Sequence, residues 1–393
     1  MAELSSGPSP LLGLPGAVAG SAPAATATAA HYGDPVAEQR MLAAGRAIVD
    51  LSDRGVVTVT GLDRLTWLDS LTSQSLAGLE PSVGAETLLL DPNGRLEHSI
   101  RVIDDGTTAW LLIDGPQAAP LAAWLDRMRF MMRVEVADAS GEWATLGQLL
   151  PAGADAGAGA GADGGADAPL VAPAAPNGVP LLWRDPWAAV QAGGWQYAAA
   201  DEHPAADFPA VELLVERARL AEVADAARAG TLPLAGALAL EALRIAAWRP
   251  RMTEVDERGI PHEVDWLRSA VHLTKGCYRG QETVAKVHNL GHPPRRLVLL
   301  HLDGSDALLP EPGAEVRAGD AVVGTLTAAA RHHELGPIAL ALVKRGLDPA
   351  AALVVEAEGT PIAAAQQVIV PPDAGATANV PRIPRLGAVP RAT

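Results

Sequence analysis

The chain is 393 residues long, carries a formal net charge of −16, and is 49% apolar but only 4% aromatic, with one cysteine. Such a length suits two or three domains. A single cysteine excludes a disulfide framework and an iron–sulfur cluster held by this chain alone, which takes about four thiolates, and the acidic balance argues against direct contact with nucleic acid or anionic lipid.

Residues 1–30 are Ala, Pro, Gly and Ser with little to bury, and read as a disordered tail. The start Met-Ala-Glu-Leu-Ser-Ser has no basic stretch, and no run approaches the roughly 18 apolar residues of a membrane span, so a cytoplasmic protein is expected. Val56–Thr60 is a β-branched strand stopped by Gly61, and Asp63 offers an N-cap to a helix carrying Leu65, Leu68 and Leu71. Strands Thr87–Leu90 and Leu96–Val102 are joined at Asp91-Pro92-Asn93-Gly94, which places Asp, Pro and Gly where a type I turn wants them. In the second strand Glu97, Ser99 and Arg101 share a polar face, of interest only if it lines a cavity. A strand over 107–113, a helix with Leu121, Trp124, Leu125 and Met128, and strands near 134–136 and 143–149 complete a first α+β lobe at 31–150. Met128, Met131 and Met132 read as core filler.

Residues 151–180 are Ala-Gly-Asp low complexity and are expected to be a linker. A second α+β lobe is expected at 181–292. It holds Trp183, Trp187 and Trp195 in packing roles, then helices over 216–229 and 237–247. Short apolar runs between 297 and 370, separated by turns, predict a small β-barrel at 293–371, with a disordered Pro-Arg tail at 372–393.

The stretch Lys275-Gly276-Cys277-Tyr278-Arg279-Gly280-Gln281-Glu282 holds the cysteine, and two of the three lysines, Lys275 and Lys286, lie in or beside it. Gly276 and Gly280 disfavour a helix through it. In an extended segment Lys275, Cys277 and Arg279 share one side, where two cations would raise the thiolate fraction. A buried structural cysteine is the alternative. His262, His272, Cys277, His288 and His292 are spaced 10, 5, 11 and 4 apart, which matches no compact zinc pattern, so no stably bound metal is expected.

With its run-in Ile260-Pro261-His262-Glu263 and run-out Thr283-Val284-Ala285-Lys286-Val287, the octapeptide resembles the signature of the YgfZ-type folate-binding proteins, relatives of the glycine-cleavage T-protein, an aminomethyltransferase. Shorter likenesses at Thr58-Val59-Thr60-Gly61, Leu90–Arg95 and Ala242-Leu243-Arg244-Ile245 extend the resemblance over about 31–370. It implies an α+β, GcvT-like fold of three lobes ringed about a central folate channel, the last lobe a β-barrel and the earlier ones interleaved in sequence. It also implies tetrahydrofolate or a derivative as cofactor, and Cys277 at the channel with its loop supported by Lys275, Tyr278, Gln281 and Glu282. The implied function is a folate-dependent factor for assembly or repair of iron–sulfur clusters. Its partners would be folate and iron–sulfur client or assembly proteins, and Cys277 a redox-active or transiently ligating thiol.

The folate contacts implied are Glu97, Arg95, Glu241, Arg249 and Arg279. Glu97 stands where T-proteins carry an aspartate beside the reactive folate nitrogen. Their pterin-binding glutamate aligns with Ala246, and Glu241 is the carboxylate offered instead. Arg249 and Arg251 flank Pro250, where they could meet an anionic ligand such as a folate glutamate. Gln281 replaces a basic residue of T-proteins. The alternatives are an aminomethyltransferase acting on a lipoyl carrier, against which Glu97 and Ala246 count, and a tRNA-modification factor, against which the acidic charge counts.

Overall fold

The structure, a computed structural model, describes residues 8–20, 28–150, 168–200 and 202–378. Of the expected tails and linker, residues 1–7, 21–27, 151–167 and 379–393 lie outside the described residues. The rest of the N-terminal stretch is not a loose tail. Ser9 caps a single 3₁₀ turn at Pro10–Gly13, and Leu11 and Leu14 are buried against Ile48, Leu146 and Val223. Two leucines in a short segment suffice to dock it. Strand β1 (Val18–Ala19) then pairs with β2 (Ala29–His31).

Helix α1 (Pro35–Ala43) starts at Asp34, whose carboxylate accepts from the Val36 and Ala37 amides. Next come β3 (Ile48–Asp50), β4 (Gly55–Thr60), α2 (Arg64–Leu71), β5 (Gly84–Leu90), β6 (Leu96–Asp104), β7 (Thr108–Ile113), α3 (Ala118–Met128) and β8 (Glu135–Asp138). Five of these strands form an antiparallel sheet in the order β5-β6-β7-β4-β8. Trp67 and Leu68 of α2 and Leu121 and Leu125 of α3 cover it. Asp63 precedes α2 without capping it. Its carboxylate is taken instead by the Arg133 side chain at 2.9 and 2.5 Å.

The chain continues through β9 (Trp143–Leu149), β10 (Leu182–Arg184), β11 (Ala210–Glu216), α4 (Leu220–Arg228), β12 (Leu234–Ala235) and α5 (Ala237–Ala246). A second sheet has the order β10-β11-β9-β3-β12. It is covered on one face by Leu220 and Val223 of α4, and on the other by Leu42 of α1 and Ala239 and Leu243 of α5. The expected boundary at 150 therefore does not separate two lobes. β3 and β9 bracket the first sheet in sequence, yet both belong to the second. Trp183 packs with Val56, Ile103 and Trp110 where the sheets meet. Trp187 is buried as expected, whereas Trp195 is 43% exposed and packs edge-on against His288.

Helix α6 (Gln281–Leu290) leads into β13 (Arg295–Leu302), β14 (Glu315–Ala318), β15 (Ala321–His332), β16 (Gly336–Lys344), β17 (Leu353–Ala357) and β18 (Thr360–Val368). These six strands close into a barrel in the order β13-β16-β15-β14-β17-β18. The apolar runs mark β13 and β15 to β18 but not β14, which buries only Val316 fully, too little apolar patterning to read from sequence. Past the barrel, Ala374 is buried and the Thr377 amide donates to His288 O at 3.0 Å, so 372–378 is docked rather than loose. Met131 and Met132 are exposed, not core filler; Met128 alone packs against the first sheet.

Two outcomes test this packing. Leu11→Ala should lower the free energy of unfolding by about 2–4 kcal/mol in urea, where a tail residue would change nothing. His262 is wholly buried and its imidazole is pushed down to about 3, chiefly by burial. Below pH 6.5 the unfolded chain therefore binds a proton that the folded one refuses. That contribution is present above pH 6.5 and is lost as pH falls, by roughly 2 kcal/mol between pH 7 and 5. Urea titrations at both pH values should show that loss of unfolding free energy in wild type and not in His262→Gln.

Candidate functional site

A cavity of about 410 Å³ opens where the first sheet, the second sheet and α5 come together. Strand alternation builds its wall. Ser99 and Arg101 project from the polar face of β6, Glu86 lies opposite Arg101 on β5, and Glu212 comes from β11. Arg249 is buried, its guanidinium shared by Glu86 and Asp185, each at 2.8 Å. Glu86 also accepts from the Ser269 hydroxyl at 2.7 Å, the Trp266 indole at 3.1 Å and the Ser99 hydroxyl at 3.2 Å. Burial opposes ionisation of Glu86, but Arg249, the Ser269 hydroxyl and Arg101 outweigh it and its carboxyl lies below the usual range. Asp185 has fewer donors, and burial pushes its carboxyl up, with Glu86 adding to the shift.

A second group centres on Glu212, which meets Arg54 and, at 3.2 Å, Arg101. A third lies on α5 and the loop after it. Arg244 donates to Glu241 at 2.7 Å and Glu254 at 2.8 Å, and Arg251 reaches Glu241 at 3.1 Å. Burial alone would raise the Glu241 carboxyl, but Arg244 and Arg251 hold it at about 2. Leu51, Phe208, Leu240, Met252 and Trp266 supply the apolar part of the lining. Arg101 Nη1, Arg249 Nη1, Arg251 Nε and Glu212 Oε2 are buried without a protein partner. Such atoms are costly unless something else satisfies them.

The cysteine loop stands elsewhere. Cys277 is exposed and is not among the cavity's lining residues. The expected pair of cations is not turned to the thiol. Lys275 is drawn into the first lobe, where its ammonium donates to the Asp69, Thr72 and Gln74 carbonyls at 2.5, 2.9 and 2.7 Å and pairs with Asp69 at 3.3 Å. Three free carbonyls near the end of α2 outcompete one thiol for that charge. Arg279 binds Glu97 in bidentate fashion at 2.7 and 3.2 Å and lies over the Trp124 ring at 5.7 Å. Tyr278 is buried below Lys275, and the Gln281 amide donates to Lys275 O at 3.3 Å. Glu282 lies in the first turn of α6.

Two glycines fasten this loop to the Asp91–Gly94 turn. Gly280 has φ +84°, and a Cβ there would come within 2.7 Å of Asp91 O and 2.9 Å of Gly94 Cα. Only glycine lets the backbones approach so closely.

Of the residues singled out from sequence, Glu241 and Arg249 line the cavity. Glu97, Arg279, Lys275, Tyr278 and Gln281 form the cysteine loop and its anchors. Arg95 is exposed at the turn, outside both groups. Glu97 and Ser99, two residues apart on β6 and so about 7 Å from each other, link the two regions. The histidines have separate roles: His262 bonds Val284 O, His288 bonds Tyr197 and His292 bonds Ala374 O. Among the described residues no group of three or more His, Cys, Asp or Glu is arranged to hold a metal, and no helix is long and apolar enough to cross a membrane. Sequence reasoning missed Glu86, Asp185, Glu212 and Arg54. The available signal was a lone charge inside an apolar strand, as at Glu86 in β5 and Glu212 in β11.

With this geometry in hand, three likenesses bear on the chain. Residues 295–371 match the glycine cleavage T-protein C-terminal barrel domain. The glycine cleavage system aminomethyltransferase T from Bartonella henselae shares the fold, with a TM-score of 0.66 at 17% identity over 90% of this chain and 94% of that one. The putative chloroplastic transferase At1g60990 of Arabidopsis thaliana is 34% identical over 102 residues, 25% of this chain, and the match spans only 22% of that relative's length. The architecture is thus GcvT-like and α+β, closed by a T-protein barrel.

Lys275→Met leaves three carbonyls without their cation and should cost about 2–3 kcal/mol of stability. Urea unfolding with the Cys277 thiol kept reduced measures it; an unchanged midpoint would show that the ammonium is not the anchor.

Proposed function

We propose that this protein is a folate-dependent factor of the YgfZ type, acting in assembly or repair of iron–sulfur clusters, with reduced folate in the cavity and Cys277 as the thiol that meets a client or assembly protein. The observation that carries the reading is the lining of the cavity, where buried arginines and carboxylates surround a site of about 410 Å³, a size typical of small-molecule sites. Tetrahydrofolate presents a flat ring edge of N–H donors and carbonyl acceptors, and two carboxylates on its glutamate. Carboxylates such as Glu241 suit the first, and Arg251, the most exposed of the cavity's paired arginines, suits the second. The unpartnered nitrogens of Arg101 and Arg249 and the free oxygen of Glu212 mark capacity that the protein itself does not use. When bound, the folate would carry one-carbon units at N5 of its reduced ring and at the adjoining side-chain nitrogen N10.

The chain's own residues supply the rest. Lys275, Arg279 and Gly280 hold the cysteine loop to the first lobe, so the thiol faces outward at a fixed place. As a thiolate, one exposed cysteine can attack a disulfide of the partner, forming a mixed disulfide as the partner's second sulfur leaves as thiolate, or it can complete the ligand set of a cluster held by a partner. Glu97 supports this reading over aminomethyl transfer, because it is committed to Arg279 and is not in the cavity lining. The aminomethyltransferase reading draws on the T-protein fold of the whole chain, and formation of methylenetetrahydrofolate from an aminomethylated carrier would favour it.

Calorimetric titration with tetrahydrofolate tests the site. Wild type should bind at about micromolar Kd, Arg251→Ala at least tenfold more weakly, equivalent to about 1.4 kcal/mol, and Glu97→Ala within twofold of wild type. No binding heat from the wild-type protein would end the folate reading. Separately, a Cys277→Ala chain that restores iron–sulfur enzyme activities in a deletion strain would remove the thiol from it.

A further inference from the structure

The turn between α3 and β8 exposes its apolar side chains to solvent. Phe130 is 82% exposed, Met131 96% and Met132 36%, and Leu62 beside them is 78% exposed. They form one patch, because Gly61 and Asp63, on either side of Leu62, both touch Arg133: a Cβ on Gly61 would lie 2.1 Å from Arg133 O, and Asp63 pairs with the Arg133 guanidinium. The turn is built rather than loose. The Met132 amide donates to Arg129 O at 2.8 Å and the Val134 amide to Met132 O at 2.9 Å. Phe130 has φ +44°, a left-handed backbone that glycine or asparagine adopts at little cost and a bulky residue does not. Folding gains nothing from an exposed phenylalanine in a strained position, so its presence calls for an occupant.

We infer that this tip is the docking surface for a folded protein partner bearing an apolar pocket rimmed by carboxylates, the same partner whose sulfur or cluster meets Cys277. Phe, Met and Arg are the side chains enriched at the centre of protein interfaces, and methionine adapts to an irregular pocket. Arg127, Arg129 and Arg133 flank the tip, in a chain of net charge −16. Arg129 and Arg133 are partly neutralised by Asp126 and Asp63. A few placed carboxylates complement such a rim; a uniformly anionic bilayer would be repelled by the chain as a whole. The tip also lies close to the thiol's anchor. Arg279 rests on Trp124 of α3; the helix rises about 6 Å from Trp124 to its end at Met128, and the three residues on to Met131 add at most about 11 Å, inside the footprint of an ordinary interface. The thiol's share in this rests on the function proposed above.

The test uses the full-length protein in cells, with p-benzoylphenylalanine in place of Met131 for photo-crosslinking. In parallel, disulfide adducts of Cys277 are resolved on non-reducing gels. We expect one discrete crosslinked protein, its yield falling at least tenfold in Arg127→Glu/Arg129→Glu and in Phe130→Asp, and a Cys277 adduct to the same protein falling with it. DTNB should titrate Cys277 in each purified variant at the wild-type rate, and Phe130→Gly should leave Tm equal or higher, which separates docking from folding. Absence of a discrete product, a yield that these substitutions leave unchanged, a crosslink only to a second copy, or sedimentation with phosphatidylglycerol vesicles that Phe130→Asp abolishes would each overturn the inference. A charge-dependent crosslink at position 131 without any Cys277 adduct keeps the docking surface and removes the mixed-disulfide role of the thiol.

Discussion

One guanidinium holds the centre of this protein together. Arg249 follows α5, yet it bonds Glu86 on β5 of the first sheet and Asp185 just beyond β10 of the second, and its charge lies over Trp187 at 5.3 Å. Neither carboxylate could be buried alone. Removing an isolated ion from water costs several kcal/mol, which a close, hydrogen-bonded partner offsets. The sheets and the segment after α5 must therefore arrive together, and the cavity is the space left beside that junction.

The same logic repeats outward. Glu212 draws Arg54 and Arg101 from segments far away in sequence, and Glu241 with Arg244 and Arg251 ties α5 to the loop that follows it. A core of leucine and alanine would pack these elements at least as tightly. What it would not provide is a lining rich in paired and partly unsatisfied polar atoms.

The thiol and the cavity are separate places joined by shared elements. β6 carries Glu97 at the cysteine loop and Ser99 and Arg101 at the cavity, and α3 carries Trp124 under Arg279 and the exposed tip at its end. Because Lys275 is bound by backbone carbonyls and Gly280 by close backbone contact, the loop has little freedom of its own. The two cations that flank Cys277 in sequence are thus tethers that display the thiol and are not turned to it.

Much of the fold was legible from residue patterns. β-Branched and apolar runs bounded by turn residues located β4 to β7 and most of the barrel strands, and the i, i+3, i+4 spacing located α3, because these patterns follow from backbone geometry and local turn chemistry alone. The Asp-Pro-Asn-Gly turn and the glycine-bracketed cysteine were equally local signals. The exposed methionines of the α3–β8 turn and the leucines of the N-terminal turn were misread, since composition does not say which surface a segment meets. Interleaving of the two sheets, the sharing of Arg249 between Glu86 and Asp185, and the turning of Lys275 away from Cys277 were decided only in three dimensions. Each depends on which distant groups compete for one charge, and that competition exists only once the chain has folded.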